Sequence, residues 1–229
     1  HRVAINHRYV TVTWDGDIAW DWMPAEQFEQ FGHSEAAKNA IMRHCRNQHA
    51  VFQNTCSYLG PNPWFDAGDE RFDPENIITD DRGTMLYIIS KKTKEIVWKV
   101  GPDYTQDSRL KAIGCIIGPH HTHLIPKGLP GEGNILVFDN GGAAGFGEPN
   151  PGAPDGTWNA IRDHSRVLEI NPVTMELVWE YTAEHSGYLG GDPARFYSRY
   201  KSAAQRLPNG NTLITESNCG RMLEITREH

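Results

Sequence analysis

Lys91-Lys92-Thr93-Lys94-Glu95-Ile96-Val97-Trp98-Lys99-Val100 is a polar turn running into a short apolar strand that carries a tryptophan. The chain repeats this arrangement at Asn171-Pro172-Val173-Thr174 followed by Glu176-Leu177-Val178-Trp179-Glu180-Tyr181. A third such strand, Ile18-Ala19-Trp20-Asp21-Trp22, follows Val10-Thr11-Val12-Thr13-Trp14 across Asp15-Gly16-Asp17, where Asp-Gly tolerates the positive φ of a tight hairpin. Trp20, Trp98 and Trp179 therefore mark equivalent strands, 78 and 81 residues apart.

Working outward from these strands, the order of segments recurs. Val51 to Leu59, Asn76 to Thr79, Thr84 to Ile89 and Glu95 to Val100 make one set of four. The segment around His120 to His123, Ile135 to Phe138, Arg166 to Ile170 and Glu176 to Tyr181 make a second, and Ser202 to Pro208, Asn211 to Thr215 and Arg221 to Ile225 begin a third. A four-strand unit that closes on a Trp is the mark of propeller blades. The expectation is an all-β chain, residues 1–229 forming one partial β-propeller domain. It holds two whole blades, the last half of one and three strands of another, about three blades in all, with blades missing on both sides because a ring needs about 4 to 8. The tryptophans read as packing between blades. Ser34 can cap one short inserted helix from Glu35 to about Cys45, with Ala37, Ile41 and Cys45 on one stripe, and Pro24 to Phe31 reads as a helical turn. The Gly/Pro-rich stretch from Gly141 to Trp158 reads as a surface excursion.

With 229 residues, 38% of them hydrophobic, the chain can bury a substantial core. Its formal charge of −7 argues against general affinity for nucleic acid or an anionic membrane, and no apolar run approaches a membrane span. An anionic substrate would have to be held by local charges. Cys45, Cys56, Cys115 and Cys219 show no CxxC spacing, so a zinc knuckle or a thioredoxin-like pair is not expected; two disulfides and four free thiols fit the count equally well.

The chemistry is concentrated in Gly118-Pro119-His120-His121-Thr122-His123-Leu124-Ile125-Pro126. In an extended segment His121 and His123 share one face and His120 takes the other. Two imidazoles on one face can hold an anion, a metal, or a group in transit between two molecules. A structural role for the cluster, hydrogen-bonding a loop and the strand end, rarely needs three histidines.

Laid out in this way, the chain resembles the arylsulfotransferase family of β-propellers, the bacterial type that needs no nucleotide sulfate donor. The matching stretches are Ser57 to Trp64, Gly68 to Phe72, Ile96 to Tyr104, Gly118 to Gly142 and Gln205 to Glu216. The resemblance implies a six-bladed propeller, periplasmic or secreted, whose funnel moves a sulfuryl group from an aryl sulfate to a phenol through a sulfohistidine, with no cofactor. It implies His121 as first choice of nucleophile, with His120 and His123 in play. Asn54 matches the Asn of the family's His-x-Asn motif, and Arg82 its anion-clamping arginine, both as catalytic and substrate-binding groups. The His of that motif is replaced here by Phe52, and the nearest substitute as a substrate-binding donor is His49, on the opposite face of a regular strand. A homo-oligomer, or a chain supplying the missing blades, is the partner expected besides the two small molecules.

Three other readings compete. The Trp-bearing turns also resemble those of quinoprotein dehydrogenases, though the adjacent cysteines often found there are missing. His121 and His123 have good metal-ligand spacing. Phe52 fits a non-catalytic binding propeller. For Arg82 the structural alternative is a salt bridge to Asp80 or Asp81, and for Asn54 a strand-end hydrogen bond to backbone.

Overall fold

A computed structural model of the chain describes residues 7–44, 52–185 and 193–229. The fold is all-β, with short helices between antiparallel sheets. In chain order the elements are β1 (Tyr9–Val12), β2 (Ile18–Trp22), α1 (Glu35–His44), β3 (Cys56–Tyr58), α2 (Pro63–Asp66), β4 (Ile77–Asp81), β5 (Met85–Ile89) and β6 (Ile96–Val100). They continue with α3 (Ser108–Ile113), β7 (His120–Leu124), β8 (Ile135–Asp139), β9 (Ala144–Phe146), β10 (Thr157–Ala160), β11 (Arg166–Asn171), β12 (Glu176–Tyr181), β13 (Ala203–Arg206), β14 (Thr212–Glu216) and β15 (Arg221–Ile225). Strands β3-β4-β5-β6 form one four-stranded sheet and β7-β8-β11-β12 another, while β1-β2 and β13-β14-β15 are smaller sheets.

The three tryptophan strands are equivalent in space as well as in sequence. Each pairs its Trp immediately before a ladder irregularity: Trp20 with Thr11, Trp98 with Ile88, Trp179 with Glu169. Each indole N–H then donates to a backbone carbonyl in a turn of the next sheet or just past its last strand: Trp20 to Lys91 at 3.1 Å, Trp98 to Pro172 at 2.7 Å and Trp179 to Arg227 at 3.1 Å. The ring packs while its polar edge finds a partner, so one residue type fastens successive sheets.

The same period-2 logic builds the core. β4, β5 and β8 are buried along their whole length, so both faces carry apolar side chains. Ile77, Met85, Tyr87 and Ile89 face Tyr9, Trp22 and Phe31, while Ile78, Leu86 and Ile88 join Leu124, Ile135, Val137 and Leu168 from the next sheet. Leu136, Phe138 and Val167 on the far side meet Ala204 and Ile214. Each apolar layer thus lies between consecutive sheets.

Several expectations change. The strand read from Val51 to Leu59 contracts to Cys56–Tyr58, because the Asp81 and Asp80 side chains accept from the backbone N–H groups of Phe52 and Asn54 at 3.2 and 2.9 Å. The helix begins at Glu35 and is described to His44; Cys45 lies outside the described residues. It is not the single helix: α2 is capped by Asn62 and starts on Pro63, and α3 is capped by Asp107, whose carboxylate accepts from the N–H groups of Arg109 and Leu110. Cys56, Cys115 and Cys219 are free thiols. No helix among the described residues is long and apolar enough to cross a membrane.

His33 is packed between the rings of Phe28 and Phe31, 6% exposed, and neither ring nitrogen has a hydrogen-bond partner among the described residues. Burial, aided by the charges of Lys99 and Lys38, lowers its pKa to about 4.

Candidate functional site

A cavity of about 720 Å³ opens where the segments before β3, after β4 and at the start of β7 converge. Its walls include Asn54, Arg82 and His120 among the residues expected from the sequence.

His120 sits there because β7 is irregular. It pairs with Phe138, and His123 pairs with Leu136, so β7 spends three residues where β8 spends two. The extra residue is accommodated with His121 in the left-handed region at φ 55°, an uncommon conformation for a non-glycine. Simple alternation therefore fails. His121 and His123 do lie against one another, ring centroids 4.5 Å apart and tilted by 42°, but outside the cavity lining. His121 donates from Nδ1 to the carbonyl of Ala204 at 2.8 Å, and His123 from Nδ1 to the carbonyl of His121 at 2.9 Å. Burial, with a smaller contribution from the charge of His121, lowers the His123 pKa to about 4, so this ring is neutral near pH 7. No group of three His, Cys, Asp or Glu suited to a metal forms among the described residues.

The tautomer of His120 follows from its neighbours. The Asn140 side chain, fully buried, donates through Nδ2 to the carbonyls of Ser198 and Lys201 at 2.6 and 2.7 Å, which turns its Oδ1 toward the imidazole. His120 Nδ1 lies 2.8 Å from that oxygen and 3.1 Å from the Gly118 carbonyl. Both are acceptors, so Nδ1 carries the proton. Nε2 keeps its lone pair, which accepts a long 3.2 Å bond from the Lys201 backbone N–H. This is an oriented imidazole in the cavity wall, with its second nitrogen left as an acceptor.

Asn54 donates through Nδ2 to the carbonyl of Pro119 at 2.9 Å, next to His120, so it ties this wall to β7. Thr122 Oγ1 donates to Asp80 at 3.0 Å, and Asp80 also holds the Asn54 backbone, so one buried carboxylate positions both. Burial raises the pKa of Asp80 and pushes that of Asp81 up to about 7. Arg82 forms no ion pair with either; among the described residues its guanidinium lies 4.1 Å over the Trp158 ring and 5.2 Å over Phe52. Burial lowers its pKa, opposed by the charge of Asp81, yet an arginine stays charged.

Trp158 corrects the reading of Gly141 to Trp158 as a surface excursion. Its flanks pair as β9 and β10, and the Gly145 N–H donates to the Arg82 carbonyl at 2.7 Å, which fixes the hairpin over the site. Sequence reading passed over this hairpin, along with the role of Asn140 and with Arg199, Tyr200 and Lys201, which complete the cavity. Gly142 allows the last three to approach: a Cβ there would stand 2.2 Å from the Arg199 carbonyl oxygen. His49 lies outside the described residues.

No curated protein matches the chain. A solved structure from Bacteroides caccae, a protein of unknown function, is similar at 12% identity and a TM-score of 0.40; the match covers 97% of this chain and 55% of that one. This chain thus spans little more than half the length of that structure. The arylsulfotransferase family model matches residues 8–228, nearly the whole sequence, and the chain belongs to that family.

Proposed function

We propose that the sheets are an arc of a β-propeller whose cavity transfers a sulfuryl group from an aryl sulfate to a phenol, with His120 as the nucleophile. The supporting observation is the oriented imidazole: Asn140 and Gly118 take the Nδ1 proton, which leaves Nε2 as the acceptor nitrogen of a histidine that lines the cavity with Arg82 and Asn54. The sequence-based preference for His121 gives way to its neighbour because the β7 bulge turns the His121 ring toward Ala204.

In the first step the Nε2 lone pair attacks sulfur, the bond from sulfur to the ester oxygen breaks, and the phenolate leaves with the electron pair. The long bond from the Lys201 N–H to Nε2 must yield as sulfur approaches. In the second step a phenol oxygen attacks sulfur, its proton passes to solvent, and the bond from Nε2 to sulfur breaks, restoring neutral imidazole. The transferring group keeps negative charge on its outer oxygens, so fixed positive donors at Arg82 stabilise the transition state. Phe52 supplies no donor, but its ring and that of Trp158 flank the guanidinium.

The exposed outer face of the β1-β2 hairpin, with Val10, Val12 and Ile18 at 46%, 52% and 53%, supports further sheets completing the ring, from the same polypeptide or a second copy. In keeping with the family resemblance, the complete protein is periplasmic or secreted.

The test is single-turnover release of phenol from an aryl sulfate without acceptor. The full-length protein should give a burst of about one phenol per site, with a sulfuryl group left on one imidazole. His120→Ala should abolish the burst while His123→Ala keeps it. Loss in His121→Ala alone, with His120→Ala still active, would move the nucleophile to His121, and no release by the unaltered protein would remove the transferase reading.

A further inference from the structure

The cavity holds more positive charge than one sulfuryl group requires. Arg82 stands at one wall and Arg199 and Lys201 at another, and among the described residues no Asp or Glu lines the space between. None of the three forms an ion pair with a described residue, although the chain as a whole carries a formal charge of −7. Three like charges around one cavity repel each other, and with no carboxylate lining it among the described residues the cavity favours anions, even though Arg199 and Lys201 are themselves exposed.

A sulfate monoester brings a single negative charge, and in the transfer proposed above Arg82 and His120 would meet it. Arg199 and Lys201 are left over. They flank Tyr200, which is 53% exposed, and Lys201 lies 5.7 Å from the centre of its ring. Aromatic surface at Trp158 and Tyr200 thus accompanies charge on both walls. A cavity of about 720 Å³ also exceeds what one phenyl ring and one sulfate fill.

We infer that the preferred ligand is an aromatic sulfate bearing a second anionic group, a carboxylate or another sulfate, with the sulfuryl group at Arg82 and the second anion at Arg199 and Lys201. This rests on the assignment of the sulfuryl end made above. The backbone of this second wall is already committed: the Lys201 N–H reaches His120 and the Ser198 and Lys201 carbonyls hold Asn140, so the side chains of Arg199 and Lys201 are carried by the segment that orients the imidazole. Recognition at one end of the ligand is therefore built onto the support of the reacting group at the other.

Binding can be read without turnover. Benzenesulfonate and 4-sulfobenzoate, inert analogues with one and two charges, would be titrated by calorimetry into the full-length protein and into two variants. The unaltered protein should bind 4-sulfobenzoate about tenfold more tightly than benzenesulfonate, and the ratio should shrink at high salt. Arg199→Gln/Lys201→Gln should bring the ratio to within about twofold of unity, whereas Arg82→Gln should weaken both compounds alike. Equal affinities in the unaltered protein, or a ratio that survives the double substitution in folded protein, would overturn the inference. Benzenesulfonate binding that ignores Arg82→Gln would instead overturn the sulfuryl-end assignment, and no binding of either compound at millimolar concentration would overturn both.

Discussion

Asn140→Ala tests the orientation of the imidazole directly. The side chain is fully buried and makes three hydrogen bonds, to His120 Nδ1 at 2.8 Å, Ser198 O at 2.6 Å and Lys201 O at 2.7 Å. Each contributes about 1 kcal/mol net, and buried carbonyls left without donors add to the cost, so the loss should be about 3–5 kcal/mol. For a chain of this length that is roughly a 6–20 °C fall in Tm. The kinetic effect has a separate origin. Without the Oδ1 acceptor the ring keeps only the longer bonds to the Gly118 carbonyl and from the Lys201 N–H, so its orientation and the proton on Nδ1 are held less firmly and phenol release should slow by about 10²-fold. Asn140→Asp separates the two effects: it keeps an acceptor for Nδ1–H but turns a carboxylate oxygen toward two carbonyls. Its Tm should fall as far as that of the alanine variant, while its rate, assayed at pH 9, should recover most of the loss. A folded Asn140→Ala protein releasing phenol within threefold of the unaltered rate would refute the reasoning.

Three further outcomes are expected. His33→Phe should abolish an acid sensitivity. A group at about 4 when folded and about 6.5 when unfolded costs stability as pH falls between those values, about 2 kcal/mol by pH 5, so the urea midpoint of the variant should exceed the unaltered protein's by more at pH 5 than at pH 7. Gly142→Ala should lower Tm and slow phenol release together, since its Cβ would stand 2.2 Å from the Arg199 carbonyl on the segment that orients His120; an unchanged rate and Tm would show that this segment adapts freely. Trp158→Gly removes the ring over Arg82 together with the left-handed strain at φ 56°, so stability should change little while aryl sulfate affinity falls about 5- to 30-fold; unchanged affinity in a binding titration would count against the stacked arginine.

The repeat of sheets was legible because its signals are local. A Trp two or three residues into an apolar strand, after a polar turn, identifies itself within ten residues, and the indole bonds of Trp20, Trp98 and Trp179 follow one rule in all three places. Two helices also left local signals, Asn62-Pro63 and Asp107 with Gly114, which the loops around them obscured. The β9-β10 hairpin was not legible. Its glycines and prolines read as loop, and its place over the site depends on a bond from Gly145 to Arg82, far away in sequence. Asn54, Arg82 and His120 were named from sequence and meet at one cavity, whereas the placing of His121 and His123 on one face and His120 on the other assumed an unbroken alternation that the β7 bulge interrupts. Asn140 sat in plain view beside the histidine segment; its role is set by carbonyls 58 and 61 residues away.

The extra residue in β7 has a consequence for how this segment can change. Substitutions at His121 or Thr122 alter chemistry at one position, whereas a change in length rephases everything upstream of it. Deleting Thr122 would restore a regular ladder to β8, and the same three histidines in the same order would then present different rings to the cavity. Alignments that match the histidines by letter alone are blind to this phase, so a homologue one residue shorter here would carry its reactive imidazole under a neighbouring column. Length, more than identity, is the quantity to compare in this strand.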